Sequence, residues 1–86
     1  MAAQRPPIDN RIRELRFAAA EMTQQELARR IGVTRQPVNA IEGSKYSPTL
    51  EVAFRIAAVF DRTLEEVFRY HPEEDAKLQA GSTQDP

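Results

Sequence analysis

The feature that most constrains this chain is residues 24–43, where two short helical patterns flank a glycine. Thr23 can cap the first helix, and Glu26 three positions later completes the sequence of a capping box. Gly32 can adopt the left-handed conformation that ends a helix at little cost. Thr34 can cap the second helix. The run therefore predicts a helix, a turn of about three residues and a second helix.

The apolar residues of these two helices recur at helical spacing. Leu27 and Ile31 are four positions apart, Val38 and Ile41 are three apart, and we expect all four to be buried. Ala28 leaves room for the second helix to cross close to the first. The outward positions of the second helix are Arg35, Gln36 and Asn39. Arginine can pair with the O6/N7 edge of guanine, and Gln or Asn with the N6/N7 edge of adenine, so these three are candidate base-reading residues.

The stretch resembles the helix-turn-helix of the phage repressor and Cro type, the XRE family of transcriptional regulators. The resemblance is carried by T-Q-Q-E-L-A, I-G-V-T-R-Q and V-N-A-I-E-G-S-K-Y-S-P-T-L-E-V-A. With the flanking helices it covers about residues 8–70. It implies an all-α, compact five-helix, lambda-repressor-like domain with helices 2 and 3 as the helix-turn-helix. The implied function is sequence-specific binding of double-stranded DNA by a non-enzymatic regulator, a repressor that acts as a homodimer with helix 3 in the major groove.

The resemblance also implies roles for charged and polar side chains. Arg16 and Glu42 would form a buried ion pair between the first and third helices, the alternative being a solvated Arg16. The spacing from Arg16 to Thr23 is one residue longer than in many members, which lengthens the turn. Gln24 would approach a phosphate and support Arg35, and its alternative is an ordinary exposed residue in the first turn.

Residues expected at or beside the DNA backbone are Gln24, Thr34, Pro37, Lys45 and Tyr46. Pro37 stands where Thr or Ser is common in the family, and it removes an N–H that Thr34 could cap. Its ring either contacts a thymine methyl group or only stiffens the helix start. Tyr46 either flanks the groove or packs under its own loop.

The remaining helices are expected to close the core. The apolar stripe of the first helix is Ile8, Ile12, Leu15 and Ala19, and that of the fourth is Leu50, Ala53, Ile56, Ala57 and Phe60. Thr63 and Glu66 predict a capping box for a fifth helix with Leu64, Val67 and Phe68 on its apolar face. Leu64, Phe68 and Tyr70 are candidates for a dimer contact, since this short helix cannot bury every aromatic side chain near it. The alternative is that they complete the monomer core.

Composition excludes several classes of protein. The 86 residues suit one small domain, and there is no cysteine and a single histidine, His71. A metal site, a cofactor site and a nucleophilic catalytic group are therefore not expected. No apolar run approaches the ~18 residues of a membrane span, and the N-terminus lacks the apolar core of a secretory signal, so we expect a cytoplasmic protein.

The formal net charge of −1 is unevenly distributed. Residues 1–70 hold 11 Arg/Lys and 9 Asp/Glu, whereas residues 71–86 hold one Lys and four acids. We expect residues 1–7 to form a flexible arm, residues 8–70 the DNA-binding domain, and residues 71–86 an acidic, largely disordered tail in which Pro72 can start a short helix.

A second hypothesis is an antitoxin-type or other protein-interaction module that uses the same fold without reading DNA. The near-neutral net charge is compatible with it. The polar trio on the second helix argues against it, since protein interfaces favour aromatic and apolar anchors. An enzyme would have only scattered carboxylates to support it.

Overall fold

The computed structural model of the chain describes residues 6–80. Within them the chain forms six helices and one two-stranded antiparallel sheet. In chain order the elements are β1 (Ile8–Asn10), α1 (Ile12–Ala18), α2 (Gln24–Ile31), α3 (Arg35–Glu42), α4 (Leu50–Val59), α5 (Leu64–Val67), β2 (Phe68–Tyr70) and α6 (Pro72–Ala80). None of these helices is long and apolar enough to cross a membrane.

One hydrophobic core joins the first five helices. Each of them contributes one of the largest fully buried side chains, which are Ile12, Leu27, Val38, Ile56 and Val67. The helical core confirms the all-α class of fold that the resemblance implies, but the described residues form six helices and a small sheet rather than five helices alone. Because α5 has only four residues, it is held by this packing rather than by its own backbone hydrogen bonds.

The helix ends follow the predicted signals closely. The Thr23 hydroxyl accepts a hydrogen bond from the Glu26 N–H at 3.0 Å, and Gly32 ends α2 with a φ of +79°. Thr63 and Glu66 form the reciprocal capping box predicted for α5. The box at α2 is only half formed, because the Glu26 carboxylate is engaged by arginines of its own helix.

The prediction is wrong at both ends of the domain. Residues that were expected to extend the first and fifth helices belong to two strands. Ile8 was expected in the apolar stripe of the first helix, and Phe68 in the fifth helix. Instead Ile8–Asn10 pairs antiparallel with Phe68–Tyr70, with Ile8 opposite Tyr70 and Asn10 opposite Phe68. This pairing continues into the backbone bond from the Arg11 N–H to the Val67 carbonyl at 2.9 Å.

The predicted tail also needs correction, because residues 72–80 form the helix α6. Pro72 starts it, as the sequence allows. The His71 N–H donates to the Pro7 carbonyl at 2.8 Å, so α6 begins beside β1. Residues 1–5 of the predicted arm and residues 81–86 of the predicted tail lie outside the described residues.

Two further features differ from expectation. Leu50 was assigned to the inner stripe of the fourth helix, but 67% of it is exposed, since it stands at the first position of α4. The longer turn between α1 and α2 contains Ala20 and Glu21 with φ values of 57° and 56°. Two consecutive left-handed residues absorb the additional position of this turn.

Candidate nucleic-acid interface

The helix-turn-helix consists of α2, the turn Gly32–Thr34 and α3. Ala28 is fully buried where α2 faces its neighbours, in agreement with the close approach that a small residue permits. The Val33 N–H donates to the Ala28 carbonyl at 3.0 Å, which brings the turn back onto α2. Val38 and Ile41 turn inward, so the opposite side of α3 is left to solvent.

The exposed side of α3 carries three polar side chains. Arg35, Gln36 and Asn39 are all exposed, and they lie opposite the buried Val38 and Ile41. Arg35 and Gln36 occupy the first turn of α3. The structure therefore presents the three candidate base-reading residues on one accessible face.

A hydrogen-bonded ion pair supports this face from behind. The Arg16 Nε and Nη2 atoms donate to the two oxygens of the Glu42 carboxylate at 3.0 and 2.7 Å. Arg16 Nη1 also donates to the Met22 carbonyl at 2.7 Å. Both charged side chains are about nine-tenths buried. The predicted pair is present, and it connects α1, the turn before α2 and the end of α3.

Gln24 does not support Arg35 as expected. Its Nε2 atom donates to Asn39 Oδ1 at 3.2 Å and to Glu42 Oε1 at 3.2 Å. The first residue of α2 is therefore linked to the middle and the end of α3 rather than to its start. It orients Asn39, one of the three exposed candidates.

Pro37 changes the start of α3 in the way its chemistry requires. Thr34 stands at the N-cap, with Pro37 three positions later. Within the described residues the Thr34 hydroxyl forms no capping hydrogen bond. The N–H that such a cap would use is the one that proline lacks.

Lys45 and Tyr46 lie in the loop between α3 and α4, and both are exposed. The Lys45 N–H donates to the Ala40 carbonyl at 2.9 Å, so the loop leaves α3 in a defined direction. Tyr46 lines a shallow groove with Val33 and Pro37. The tyrosine is thus partly packed and partly accessible.

Asn10 contacts α3 as well as the start of α1, and the contact with α3 was not predicted from the sequence. Its side-chain amide donates to the Ile41 carbonyl at 2.9 Å, while its Oδ1 accepts from the Ile12 N–H at 3.1 Å. The residue binds the first N–H of α1 and a carbonyl in the last turn of α3. The position before a helical apolar pattern marks it as a cap, but no local signal indicates the distant carbonyl.

The two arginines at the end of α2 are engaged elsewhere. Arg29 and Arg30 both bind the Glu26 carboxylate, at 2.6 and 2.8 Å. The hydrogen bonds from Arg29 and then Arg30 lower the pKa of Glu26 to about 2, so it is ionised at neutral pH. The two arginines and the one carboxylate form a paired group on the solvent-exposed side of α2.

Two of the three dimer candidates lie in an apolar groove, and the third lies outside it. Leu64 and Phe68 line an apolar groove of about 230 Å³ together with Ile8, Leu50 and Ala53. Tyr70 is 54% exposed, and its hydroxyl donates to Asp75 at 2.6 Å, which raises the Tyr70 pKa.

The described residues thus build an exposed polar face on a packed helical core. No group of three or more His, Cys, Asp or Glu residues within 6–80 is placed to hold a metal ion. A two-helix unit with an exposed Arg, Gln and Asn on its second helix defines the class of helix-turn-helix DNA-binding folds.

Comparison with known proteins identifies the family. The profile of the helix-turn-helix family HTH_3 matches residues 12–67, and the chain belongs to this family. The expected resemblance to XRE-type regulators is therefore confirmed. The family consists of DNA-binding regulators of transcription rather than enzymes.

Several relatives carry the same domain. An uncharacterized HTH-type transcriptional regulator of Archaeoglobus fulgidus is 45% identical over 64 residues, which are 74% of this chain and 89% of that protein. The uncharacterized HTH-type regulator YgzD of Bacillus subtilis is 42% identical over 59 residues, 69% of this chain and 88% of that protein. A crystal structure of a candidate DNA-binding protein from Bacteroides fragilis shares the fold, with a TM-score of 0.63 at 19% identity. The alignment covers 72% of this chain and 98% of that one.

Proposed function

We propose that this protein is a repressor that binds a specific double-stranded DNA operator as a homodimer, with α3 in the major groove. The observation that carries the proposal is the exposed face of Arg35, Gln36 and Asn39 on the second helix of a helix-turn-helix. Arginine and the two amides have the donor and acceptor patterns that distinguish base pairs in that groove.

Asn39 is the best supported of the three. Gln24 donates to its Oδ1, which has a second lone pair, and its Nδ2 group keeps both hydrogens for a base. An amide that is oriented before binding loses less conformational freedom when it meets the N6/N7 edge of adenine. We assign base reading to Asn39 on this ground, and to Arg35 and Gln36 because they are exposed on the same face of α3.

The contacts to the DNA backbone are assigned around this face. Gln24 begins α2, whose first N–H groups have no helical partner and can bind a phosphate. Lys45 and Tyr46 are exposed in the loop after α3. Thr34 and Pro37 lie at the start of α3, where the Thr34 hydroxyl, free of a capping bond within the described residues, can turn to a phosphate.

The dimer is assigned to the apolar groove and its surroundings. Leu64 and Phe68 line the groove, and Tyr70 follows on β2. Leu50, with 67% of its surface exposed at the rim, adds an unburied apolar side chain. A two-fold contact here would cover this surface and double the DNA contacts. Repression then needs only that the occupied operator excludes other proteins.

Selection of bound sequences from a random pool of DNA duplexes tests the proposal. We expect a palindromic motif with half-sites about one helical turn, roughly 10 base pairs, apart. Affinity for the selected duplex should fall steeply between about 50 and 200 mM salt. An absence of any enriched motif would contradict the proposal and favour the protein-interaction module.

A paired substitution tests the dimer surface. Leu64→Lys should shift the chain to a monomer in sedimentation analysis, because it places a charge in the apolar groove. Phe54→Lys is the control, since Phe54 is a largely exposed apolar residue that does not line the groove. Equal behaviour of the two variants would contradict the assignment of this surface.

A further inference from the structure

A polar depression of about 410 Å³ adjoins the candidate recognition face. Gln24 and Asn39 line it from the helix-turn-helix, and Gly43 contributes no side chain that would fill it. Arg13 and Phe17 line it from α1, a helix with no assigned role in DNA binding. The depression therefore connects α1 to the surface on which Asn39 is exposed.

The side chain of Arg13 has a defined place at this depression. Its guanidinium carbon lies 5.5 Å from the centroid of the Phe17 ring, and that of Arg16 lies 5.4 Å from the same ring. Arg16 is fixed by its paired hydrogen bonds to Glu42. The ring therefore lies between the fixed Arg16 and Arg13, and it orients the Arg13 guanidinium by a cation–π contact, although 52% of Phe17 is exposed.

The charge of the depression comes from Arg13. Two arginines and one glutamate are among its lining residues, and Arg16 neutralises Glu42. No salt bridge to Arg13 forms within residues 6–80. An exposed, oriented and uncompensated guanidinium with amide groups nearby suits a phosphate, which accepts two parallel N–H donors from arginine.

We propose that Arg13 contacts a phosphate of the DNA backbone, so that the DNA-binding surface extends from the helix-turn-helix onto α1, and that Phe17 positions the guanidinium. The proposal rests on the proposed function, because the phosphate belongs to the duplex whose bases meet Asn39. A phosphate contact carries no sequence information. Arg13 therefore contributes affinity and salt dependence but no base preference.

The test compares Arg13→Gln with Arg30→Gln, which removes the same charge from an arginine that is paired with Glu26 on α2. Dissociation constants are measured on the selected operator and on a random duplex from about 50 to 300 mM salt. For Arg13→Gln we expect the slope of log K against log salt to shrink by about 0.9 per bound subunit on both duplexes. If the plots for the parent and for Arg13→Gln meet at 1 M salt, this difference in slope corresponds to about an eightfold loss of affinity per subunit at 0.1 M salt. Arg30→Gln should keep the parent slope.

Further variants separate charge from positioning. Arg13→Lys should keep the slope, since the slope depends on the charge, but it should lower affinity because lysine lacks the paired N–H donors. Phe17→Leu should lower affinity about two- to fivefold, the equivalent of an exposed cation–π contact, with the slope retained. Thermal unfolding of each variant, expected within about 2 °C of the parent because both sites are exposed, excludes a loss of fold.

Phosphate ethylation interference on the operator locates the contact. One position per half-site at which ethylation blocks the parent should become tolerated in Arg13→Gln. Any one of three results for Arg13→Gln would overturn the proposal. These are a salt slope equal to that of the parent on both duplexes, an unchanged interference pattern, and a loss of preference at one base. If the parent enriches no motif, the proposed function fails, but the slope on the random duplex still tests Arg13.

Discussion

At the scale of the residue, the threonines before the helices show how a neighbouring residue decides whether a capping hydrogen bond can form. Thr49 and Thr63, like Thr23, accept a hydrogen bond from the N–H three positions later. Thr34 occupies the equivalent position, but the residue three positions later is Pro37, which has no N–H to donate. The same residue type at the same position therefore stabilises three helices and leaves α3 without a side-chain cap.

Alanine substitution of two of these threonines should have unequal effects. Thr49→Ala should cost about 1 kcal/mol, the usual value of a lost N-cap, whereas Thr34→Ala should cost only a few tenths. Urea denaturation measures both. Repeating Thr34→Ala in a Pro37→Ala background, where the N–H is restored, should raise its cost toward that of Thr49→Ala. Equal costs in the parent chain would show that Thr34 is capped in solution.

Arg35 is the residue on which base preference depends most directly in the proposed function. Arg35→Ala should cost about 1–3 kcal/mol of binding free energy and relax specificity at one base pair. The measurement is a titration of the variant on the selected operator and on its single-base variants, with Arg30→Gln as the control. If Arg35→Ala binds every sequence as well as the parent does, Arg35 does not read a base.

At the scale of the element, the position of α3 depends on groups that come from other helices. Arg16 of α1 and Gln24 of α2 both reach Glu42, and Asn10 of β1 holds the Ile41 carbonyl. These contacts fix the end of α3, while Val38 and Ile41 fix its inner side. The exposed face of Arg35, Gln36 and Asn39 is therefore oriented by polar contacts as well as by the core.

Removal of one partner of the buried pair tests this dependence. Arg16→Met should cost about 3–5 kcal/mol, because it leaves the Glu42 carboxylate buried without a charge partner. The double variant Arg16→Met with Glu42→Leu should recover most of that loss, since it leaves no buried charge. Denaturant unfolding at neutral pH measures both. A single variant that loses less than about 1 kcal/mol would mean that water compensates Glu42.

Local signals were enough to predict α2, α3 and α4, because spacing, caps and Gly32 all act within a few residues of one another. The strands were not predictable, since Ile8–Asn10 and Phe68–Tyr70 become strands only by pairing with each other. The family resemblance correctly predicted the ion pair of Arg16 with Glu42. It placed Gln24 beside Arg35, whereas the fold places it beside Asn39. Side-chain partners of this kind depend on packing across helices, which spacing alone does not determine.

At the scale of the whole molecule, the distribution of charge sets a limit on DNA affinity. Helix α6 carries Glu73, Glu74 and Asp75 in its first turn. Glu74 and Ser44 line the same hollow, so the acidic helix starts next to the loop that carries Lys45. Carboxylates at this position repel the phosphates that the loop is proposed to contact.

Neutralising two of these carboxylates should strengthen DNA binding. The double variant Glu73→Gln with Glu74→Gln keeps α6 and removes two negative charges. We expect roughly a two- to fivefold higher affinity at 0.05 M salt and no difference near 0.5 M, where charges are screened beyond a few ångströms. Fluorescence anisotropy at both salt concentrations measures it. A gain that is the same at both concentrations would contradict an electrostatic cause.

The sheet of β1 and β2 also has a consequence for the order in which the chain folds. Its outermost pair, Ile8 and Tyr70, joins positions 62 apart in the sequence, whereas the helices form from contacts a few residues apart. Closing so long a loop costs entropy before any contact forms, so the strands should pair late in folding and separate early in unfolding. Ile8 and Phe68 then reach the apolar groove only in the last step. A chain in which this step is incomplete would lack the proposed dimer surface, so assembly itself would select the fully folded form.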